Sequence, residues 1–177
     1  GHMEAVGYDL YCKMLNEAVK KLKGETVTEQ VFETAVEIKV DAFIPNSYIK
    51  NELQKLDIYK RIAEIENEEE LIDRFGEPPK SVENLLAIAL LKEKAHRAYI
   101  TEITSKKNHL RFSMYPKAPV DPARIPPLIQ KMQRRLRFVP DTPPYFEWET
   151  GKNLLEEAEE IVDEIAGLME GEKNSET

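Results

Sequence analysis

The stretch ENEEELIDRFGEPPKSVENLL, residues 66–86, has the pattern of a short helix, a sharp corner and the start of a second helix. Phe75 closes the last apolar turn of the first helix, and Gly76 can take the left-handed conformation that commonly ends a helix. Pro79 cannot continue that helix, because proline has no amide proton to donate. We therefore predict a structural corner at Phe75, Gly76 and Pro79.

The helix before this corner begins with acidic residues. Asn67 is a good N-cap, and Glu70 stands where a capping box would close. Carboxylates stabilise the positive end of a helix by roughly 0.3–1 kcal/mol each, which is one explanation for Glu70 and Asp73. The same two residues, one turn apart, also present a pair of carboxylates suited to bidentate arginines of another protein surface. The local sequence favours the first explanation and leaves the second open.

The first half of the chain is predicted to be mostly helical. Apolar residues recur at a spacing of three to four over 8–22, which predicts an amphipathic helix. Alternation over 36–40 predicts a strand with one buried side, and Asn46 or Ser47 can cap the next helix. Another long helix is predicted over 80–97. The residues expected on the buried sides of these two later helices are Ile49, Leu53, Leu56, Tyr59, Ile62, Ala63, Ile65, Val82, Leu85, Leu86, Ala89 and Leu90.

The second half alternates short strands with helices. Asp121 followed by Pro122 marks a helix start, with a capping side chain and a proline at the first position. A last helix over 152–169 has a narrow apolar seam and an almost purely acidic opposite face, so it should pack against this domain or a partner. The predicted strands are 100–103, 110–114, 136–139 and 145–149.

These elements predict an α+β fold. A helical N-terminal half packs with a small, mostly antiparallel β-sheet flanked by helices, and a long amphipathic helix follows at the C-terminal end. Residues 1–3 match an expression-tag scar, and the abrupt start after them suggests a domain cut from a longer protein. We expect one domain over 4–170, with possible lobes 4–98 and 99–170, and a flexible tail over 171–177.

Composition and charge narrow the function classes. Apolar residues make up 41% of the 177 residues, which is typical of a folded protein. Of the net charge of −8, residues 151–177 carry −7, from nine acids and two lysines, so the rest of the chain carries −1. This near balance argues against a dedicated nucleic-acid-binding module, which would normally have a basic excess.

Basic residues are concentrated in one stretch of the chain, between residues 131 and 137. Its cations are Lys131, Arg134, Arg135 and Arg137. Cations at the end of a helix are favoured by the helix dipole, so a solvated helix end explains them. A nucleic-acid contact through these four side chains is the alternative.

The motifs of catalysis and cofactor binding are absent from the sequence. No glycine belongs to a phosphate-binding loop, and His96 and His109 have no neighbour at metal-ligand spacing. Cys12 is the only cysteine, so no internal disulfide can form. No apolar run approaches the roughly 20 residues of a membrane span. We expect a cytoplasmic protein with no catalytic residue, no cofactor, no metal and no membrane contact.

Several short motifs resemble, in the same order, the C-terminal part of the bacterial transcription-repair coupling factor family (Mfd). The first half carries most of them, and beyond Tyr99 only the order of elements is similar. The motifs are VGYDLY at 6–11, ML at 14–15, EAV at 17–19, EI at 37–38, IP at 44–45, YI at 48–49, YKRIA at 59–63 and ELIDRFG at 70–76, followed by Pro79, Val82, Leu85 and Leu86.

The resemblance implies a non-catalytic regulatory domain of an ATP-dependent DNA translocase. In that family the C-terminal domain folds back on the UvrA-binding, UvrB-like module of the same polypeptide, masks it, and restrains the motor. Glu70 and Asp73 would then be autoinhibitory contacts with arginines of that module. UvrA, RNA polymerase and DNA would be reached indirectly, through the parent protein. The alternative is an accessory domain that contacts DNA or RNA polymerase through 131–137.

Overall fold

The computed structural model describes residues 32–63 and 68–170. Within them the chain forms five α-helices, one 3-10 helix and five strands, and the predicted α+β class is confirmed. In chain order the elements are β1 (Ala35–Glu37), α1 (Glu52–Ala63), α2 (Glu68–Phe75), α3 (Lys80–Arg97), β2 (Ile100–Lys106), β3 (His109–Met114), a 3-10 helix (Pro122–Arg124), α4 (Ile125–Lys131), β4 (Leu136–Val139), β5 (Tyr145–Glu149) and α5 (Leu154–Ala166).

The described residues divide into two compact units. The first contains 40–63 and 68–90, and the second contains 32–39 and 91–170. The boundary falls within α3, after Leu90. The single domain over 4–170, with lobes that meet between residues 98 and 99, stays a prediction.

A five-stranded sheet organises the second unit, in the order β1-β2-β3-β5-β4. β1 pairs in parallel with β2, and the other three pairings are antiparallel. One face is apolar because the alternate residues of each strand share it. Phe112, Phe146 and Phe138 lie side by side across three strands on this face. Its other buried members include Val36, Ile103, Leu110, Leu136 and Trp148.

The last helix completes the core of the second unit. Ala158, Ile161, Val162 and Ile165 of α5 are fully buried. Trp148 of β5 donates through Nε1 to Glu157 of α5 at 2.9 Å, which ties the helix to the sheet. The acidic side of α5 is paired within the unit, since Lys94 Nζ lies 2.9 Å from Glu159. The helix itself ends at Ala166, three residues before the predicted end.

The first unit is built around the corner that follows α2. Gly76 has φ +85°, and its amide donates to the Ile72 carbonyl at 2.9 Å, which closes the last turn. The Pro79 carbonyl accepts from the amides of Val82 at 3.0 Å and Glu83 at 3.1 Å, so α3 begins immediately after the corner. The buried apolar side chains of this unit are Ile44, Ile49, Ile58, Tyr59, Ile62, Leu71, Val82, Leu85, Ile88 and Ala89.

The predicted cap of α1 was wrong. Asn46 and Ser47 do not begin the helix, because Pro45 accepts hydrogen bonds from Tyr48 and Ile49 in a separate turn. Asn51 caps α1 instead. Its Oδ1 accepts from the amides of Leu53 at 2.9 Å and Gln54 at 3.1 Å.

Three leucines predicted to face the core are exposed. Leu53 is 76% exposed, Leu56 37% and Leu90 38%. The inward direction of α1 is taken by Lys55 and Ile58, and Lys55 is 1% exposed, with Nζ donating to Asn46 Oδ1. Lysine is usually a surface residue, so the positions of the leucines alone predicted the wrong side of α1 as its buried face.

Other predicted elements agree with the structure. The range of α3 and the strands at 136–139 and 145–149 are confirmed, and the strand predicted over 100–103 continues to Lys106. The strand predicted over 36–40 is β1, which ends earlier, at Glu37. At the predicted start near residue 121, Asp121 accepts from the Ala123 amide at 3.1 Å and opens the 3-10 helix. The helix over 8–22 and the cap at Asn67 lie outside the described residues.

Replacement of Gly76 by alanine should destabilise the chain by about 1 kcal/mol, because a Cβ is unfavourable at positive φ. A Cβ at this position would meet no atom within 4 Å, so the cost is conformational rather than steric. Urea unfolding measures it. Gly167→Ala is the matched control, since Gly167 ends α5 at φ −68°. Equal losses in the two variants would contradict the assignment.

Candidate protein-interaction site

The helix α2 presents one side to the protein and another to solvent. Leu71 is 5% exposed and anchors the inner side. Glu69, Asp73 and Arg74 are exposed on the outer side. The helix therefore displays charged groups on a surface that its own apolar residue holds in place.

Asp73 is an exposed carboxylate that is available to a partner. Within 32–63 and 68–170 its side chain makes no hydrogen bond or ion pair. Other acids of the same unit are paired, for example Asp57 with Arg61 at 3.3 Å and Glu83 with Lys80 at 3.8 Å. Among the described residues, therefore, nothing occupies the oxygens with which Asp73 could accept hydrogen bonds from a second surface.

Glu70, the other predicted contact, precedes Asp73 by one helical turn. Its backbone belongs to α2, and its side chain lies outside the part of the chain that the structure describes. Residues three apart on a helix are neighbours on its surface. The backbone therefore places Glu70 and Asp73, here called the acidic pair, on adjoining positions of one helix.

Aromatic rings support the corner beside the acidic pair. Phe75 is half-buried, and its ring centroid lies 6.0 Å from that of Tyr48. The Arg74 guanidinium lies 5.1 Å from the Phe75 centroid, within the range of a cation–π contact. The Arg74 side chain thus lies against the Phe75 ring. Pro79, which is also half-buried, is the last residue of the corner before α3 begins.

Tyr48 contributes to this site, and sequence reasoning missed it. Its hydroxyl donates to the Gly76 carbonyl at 2.8 Å, across 28 residues of chain. No local pattern predicts a hydrogen bond over that separation. The only sequence signal was the position of Tyr48 in one of the family-like motifs.

The basic residues 131–137 are largely paired with acids of the second unit. Lys131 Nζ lies 2.9 Å from Glu164, and Arg137 Nη2 lies 2.6 Å from Glu147. Arg135 donates to the Glu149 carbonyl at 2.8 Å, and its guanidinium lies 4.3 Å from the Trp148 ring centroid. The exception is Arg134, an exposed residue with φ 62°. Within the described ranges its side chain forms no hydrogen bond or ion pair.

A buried carboxylate links three strands on the polar face of the sheet. Glu147 of β5 lies between Arg111 of β3 and Arg137 of β4, and these three residues are here called the Glu147 cluster. Arg111 Nη2 is 3.3 Å from Glu147, and its guanidinium stacks 4.0 Å from the Tyr145 ring centroid. Burial alone would raise the pKa of Glu147, but the hydrogen bonds from Arg137 and Arg111 outweigh it, so the pKa lies below its ordinary value.

Glu157 is held as a carboxylate in a similar way. Burial opposes its charge, but the amides of Gly151 at 2.6 Å and Asn153 at 2.9 Å donate to it, as does the Trp148 indole. The pKa of Glu157 is lowered as a result. These bonds also satisfy amide protons before the start of α5, so the residue serves the fold.

The described ranges contain no group of three or more His, Cys, Asp and Glu side chains that could hold a metal ion. His96 lies with Nδ1 3.1 Å from the Thr34 hydroxyl, which itself donates to the Ile100 carbonyl at 2.6 Å. His109 begins β3, and Cys12 lies outside the described residues. Among those same residues, no helix has the length and apolar character needed to cross a bilayer.

Comparison with known proteins places this geometry in a family. The model of the TRCF domain matches residues 38–125, a range that includes the acidic pair, the corner and Tyr48. The chain belongs to the TRCF-domain family. The fold agrees, because the crystal structure of a C-terminal domain of transcription-repair coupling factor superposes with a TM-score of 0.65 at 23% identity, over 79% of this chain and 96% of that one.

Similar sequences occur in longer bacterial proteins. The transcription-repair-coupling factor of Bacillus subtilis (strain 168) is 40% identical over 121 residues, which is 64% of this chain and 10% of the relative. That of Staphylococcus haemolyticus (strain JCSC1435) is 39% identical over 126 residues, 67% of this chain and 11% of the relative. The matched part of this chain thus spans about a tenth of the length of these relatives.

Replacement of Glu147 by glutamine should destabilise the protein by about 1–3 kcal/mol at pH 7, because it leaves two arginines without their anionic partner. The lowered pKa gives the sign of the pH dependence. The stability from this carboxylate is present above the ordinary glutamate pKa and is lost as the pH falls through the lower folded value.

Urea unfolding from pH 7 to pH 3 measures both effects. The difference in unfolding free energy between the wild-type chain and Glu147→Gln should shrink as the pH falls below the ordinary glutamate pKa. Glu149→Gln is the control, since Glu149 is exposed on the same strand. A difference between wild type and Glu147→Gln that stays constant down to pH 3 would contradict the assignment.

Proposed function

We propose that this chain is a non-catalytic, autoinhibitory domain of a transcription-coupled DNA repair translocase. It masks the UvrA-binding, UvrB-like module of its own polypeptide and restrains the motor through protein–protein contacts. The observation that carries the proposal is the exposed Asp73 on α2, which makes no hydrogen bond or ion pair within the described residues and lies inside the range that matches the TRCF domain. The short span of the chain relative to its relatives supports a role within a larger polypeptide.

The chemistry of the acidic pair fits an arginine-bearing partner. Two carboxylates one turn apart can accept parallel hydrogen bonds from guanidinium groups, which are stronger than bonds between neutral groups. Exposed ion pairs contribute only about 0–1 kcal/mol each, so such a contact is easily reversed. Reversibility is what a mask needs if UvrA is to displace it.

The remaining partners belong to the parent protein. UvrA, RNA polymerase and DNA would be reached through the translocase and not through this domain. A cytoplasmic location follows from that role and stays a prediction.

Charge reversal at the acidic pair tests the proposal. In the full-length parent, Glu70→Lys with Asp73→Lys should raise both UvrA affinity and basal ATPase activity, because the mask repels the arginines that it normally binds. Allosteric couplings of this kind typically amount to about 5- to 150-fold. Calorimetric titration with UvrA and a steady-state ATPase assay measure the two quantities.

The matched control is Glu156→Lys with Glu160→Lys, which makes the same charge change on exposed positions of α5. It should leave both quantities at their original values. If the acidic-pair variant also leaves UvrA affinity and ATPase activity unchanged, Glu70 and Asp73 have no regulatory role.

The alternative, a DNA contact through residues 131–137, predicts that the isolated chain binds duplex DNA, whereas the autoinhibitory role predicts little binding. Three of the four cations already contact acidic or carbonyl groups, and the net charge is −8. We therefore expect duplex DNA at 50 mM salt to bind with a Kd weaker than about 10⁻⁴ M. Fluorescence anisotropy with labelled duplex measures it. Tighter binding that is abolished by Arg134→Glu would favour the alternative.

A further inference from the structure

We infer that Tyr48 is the positioning residue of the acidic helix: its hydroxyl and ring fix the C-terminal end of α2 and thereby set the direction in which Asp73 is presented to the masked module. This inference rests on the proposed function of the acidic pair. It adds a residue that touches no partner and acts through α2.

The helix α2 needs an external anchor. It has eight residues, and isolated helices shorter than about 12–15 residues are marginal in water. Its own apolar anchor among the described residues is Leu71, at 5% exposure, while Ile72 and Phe75 are half-buried. One deeply buried side chain attaches a helix to a core but leaves it free to pivot about that contact.

Tyr48 supplies the second attachment. The hydroxyl donates to the Gly76 carbonyl at 2.8 Å, just past the last residue of α2. The Leu71 carbonyl lies 3.5 Å from the same hydroxyl, at the outer limit of a hydrogen bond. The ring packs against Phe75 at a centroid distance of 6.0 Å and an interplanar angle of 55°. A donor at this end is favourable because helix carbonyls there lack partners.

Tyr48 can act as a fixed point because its own backbone is held. Its amide and that of Ile49 donate to the Pro45 carbonyl at 3.0 Å and 3.1 Å. The neighbouring residues Ile44 and Ile49 are 0% and 2% exposed. Ile44 is tied to α1 in turn, since its amide donates to the Tyr59 hydroxyl at 3.0 Å. The aromatic side chain therefore extends from a turn that is locked on both sides.

The hydroxyl also remains a donor throughout the neutral range. Burial, and secondarily the negative charge of Glu77, raises the pKa of Tyr48 above its ordinary value. The group therefore keeps its proton at neutral pH.

Asp73 lies three residues before the carbonyl that Tyr48 binds. A pivot of α2 about Leu71 would displace its carboxylate sideways, and bidentate recognition of a guanidinium tolerates little displacement. Removal of the hydroxyl should therefore weaken the mask without removing any charged group.

Tyr48→Phe in the full-length parent tests this inference, because it keeps the ring and removes only the hydroxyl. UvrA affinity and basal ATPase activity should both rise by about 2- to 10-fold, the range that corresponds to one hydrogen bond. In the presence of Asp73→Lys the Tyr48 substitution should have no further effect, because there is no longer a correctly charged carboxylate to position.

Glu147→Gln provides the control for general destabilisation, since it weakens the fold in the other unit. It should leave UvrA affinity and ATPase activity unchanged. A local measurement on this chain complements it: Tyr48→Phe should accelerate hydrogen exchange of the Gly76 amide, which closes α2, and leave the Val82 and Glu83 amides of α3 protected.

The outcomes separate the two proposals. Two results would show that the positioning role is wrong while the autoinhibitory role stands. In the first, Asp73→Lys raises UvrA affinity and ATPase activity but Tyr48→Phe does not. In the second, the effect of Tyr48→Phe persists in the presence of Asp73→Lys. Equal acceleration of exchange in α2 and α3 likewise reduces Tyr48 to a general stabiliser. If neither substitution changes UvrA affinity or ATPase activity, the autoinhibitory role fails first, and the positioning role fails with it.

Discussion

The shortness of α2 is the constraint on which the candidate site depends. Eight residues make two turns, too few to be stable without support from outside the helix. The chain meets this requirement from both directions: Gly76 ends the helix in the left-handed region, and Tyr48 returns from 28 residues earlier to bind the carbonyl just beyond it. The helix that carries the exposed Asp73 carboxylate therefore takes part of its support from a residue that is distant in sequence.

Features that depend on neighbouring residues could be predicted from the sequence. The range of α3, the start at Asp121 and the strand pair at 136–139 and 145–149 follow from caps, prolines and alternation, and the structure has them. The errors arise where tertiary contacts override a pattern. In α1, Leu53 was predicted to be buried but is exposed, and Lys55 is buried instead. Lys55 can be buried because Asn46 accepts a hydrogen bond from its ammonium group. No helical periodicity contains that information.

The candidate site divides in the same way. The local sequence predicts the corner, because its residues belong to one stretch of chain. Asp73 as a contact comes from the family resemblance and stays a prediction, and no local pattern indicates Tyr48. The contacts of the basic residues 131–137 are likewise not visible in the local sequence. Their partners include Glu164, 33 residues from Lys131, and Glu147, ten residues from Arg137 and on another strand. A count of cations along the chain records charges that the folded protein has already neutralised.

The Glu147 cluster has a consequence for the open side of the sheet. β4 is a terminal strand, with a neighbour on one side only, and Arg137 at its centre is bound to a buried carboxylate of the adjacent strand. Among the described residues β4 pairs only with β5, and a charged side chain bound within the sheet, with Pro140 directly after the strand, makes its outer edge a poor template for a second chain. The same ion pairs that hold three strands together therefore disfavour strand pairing with a second chain at this edge.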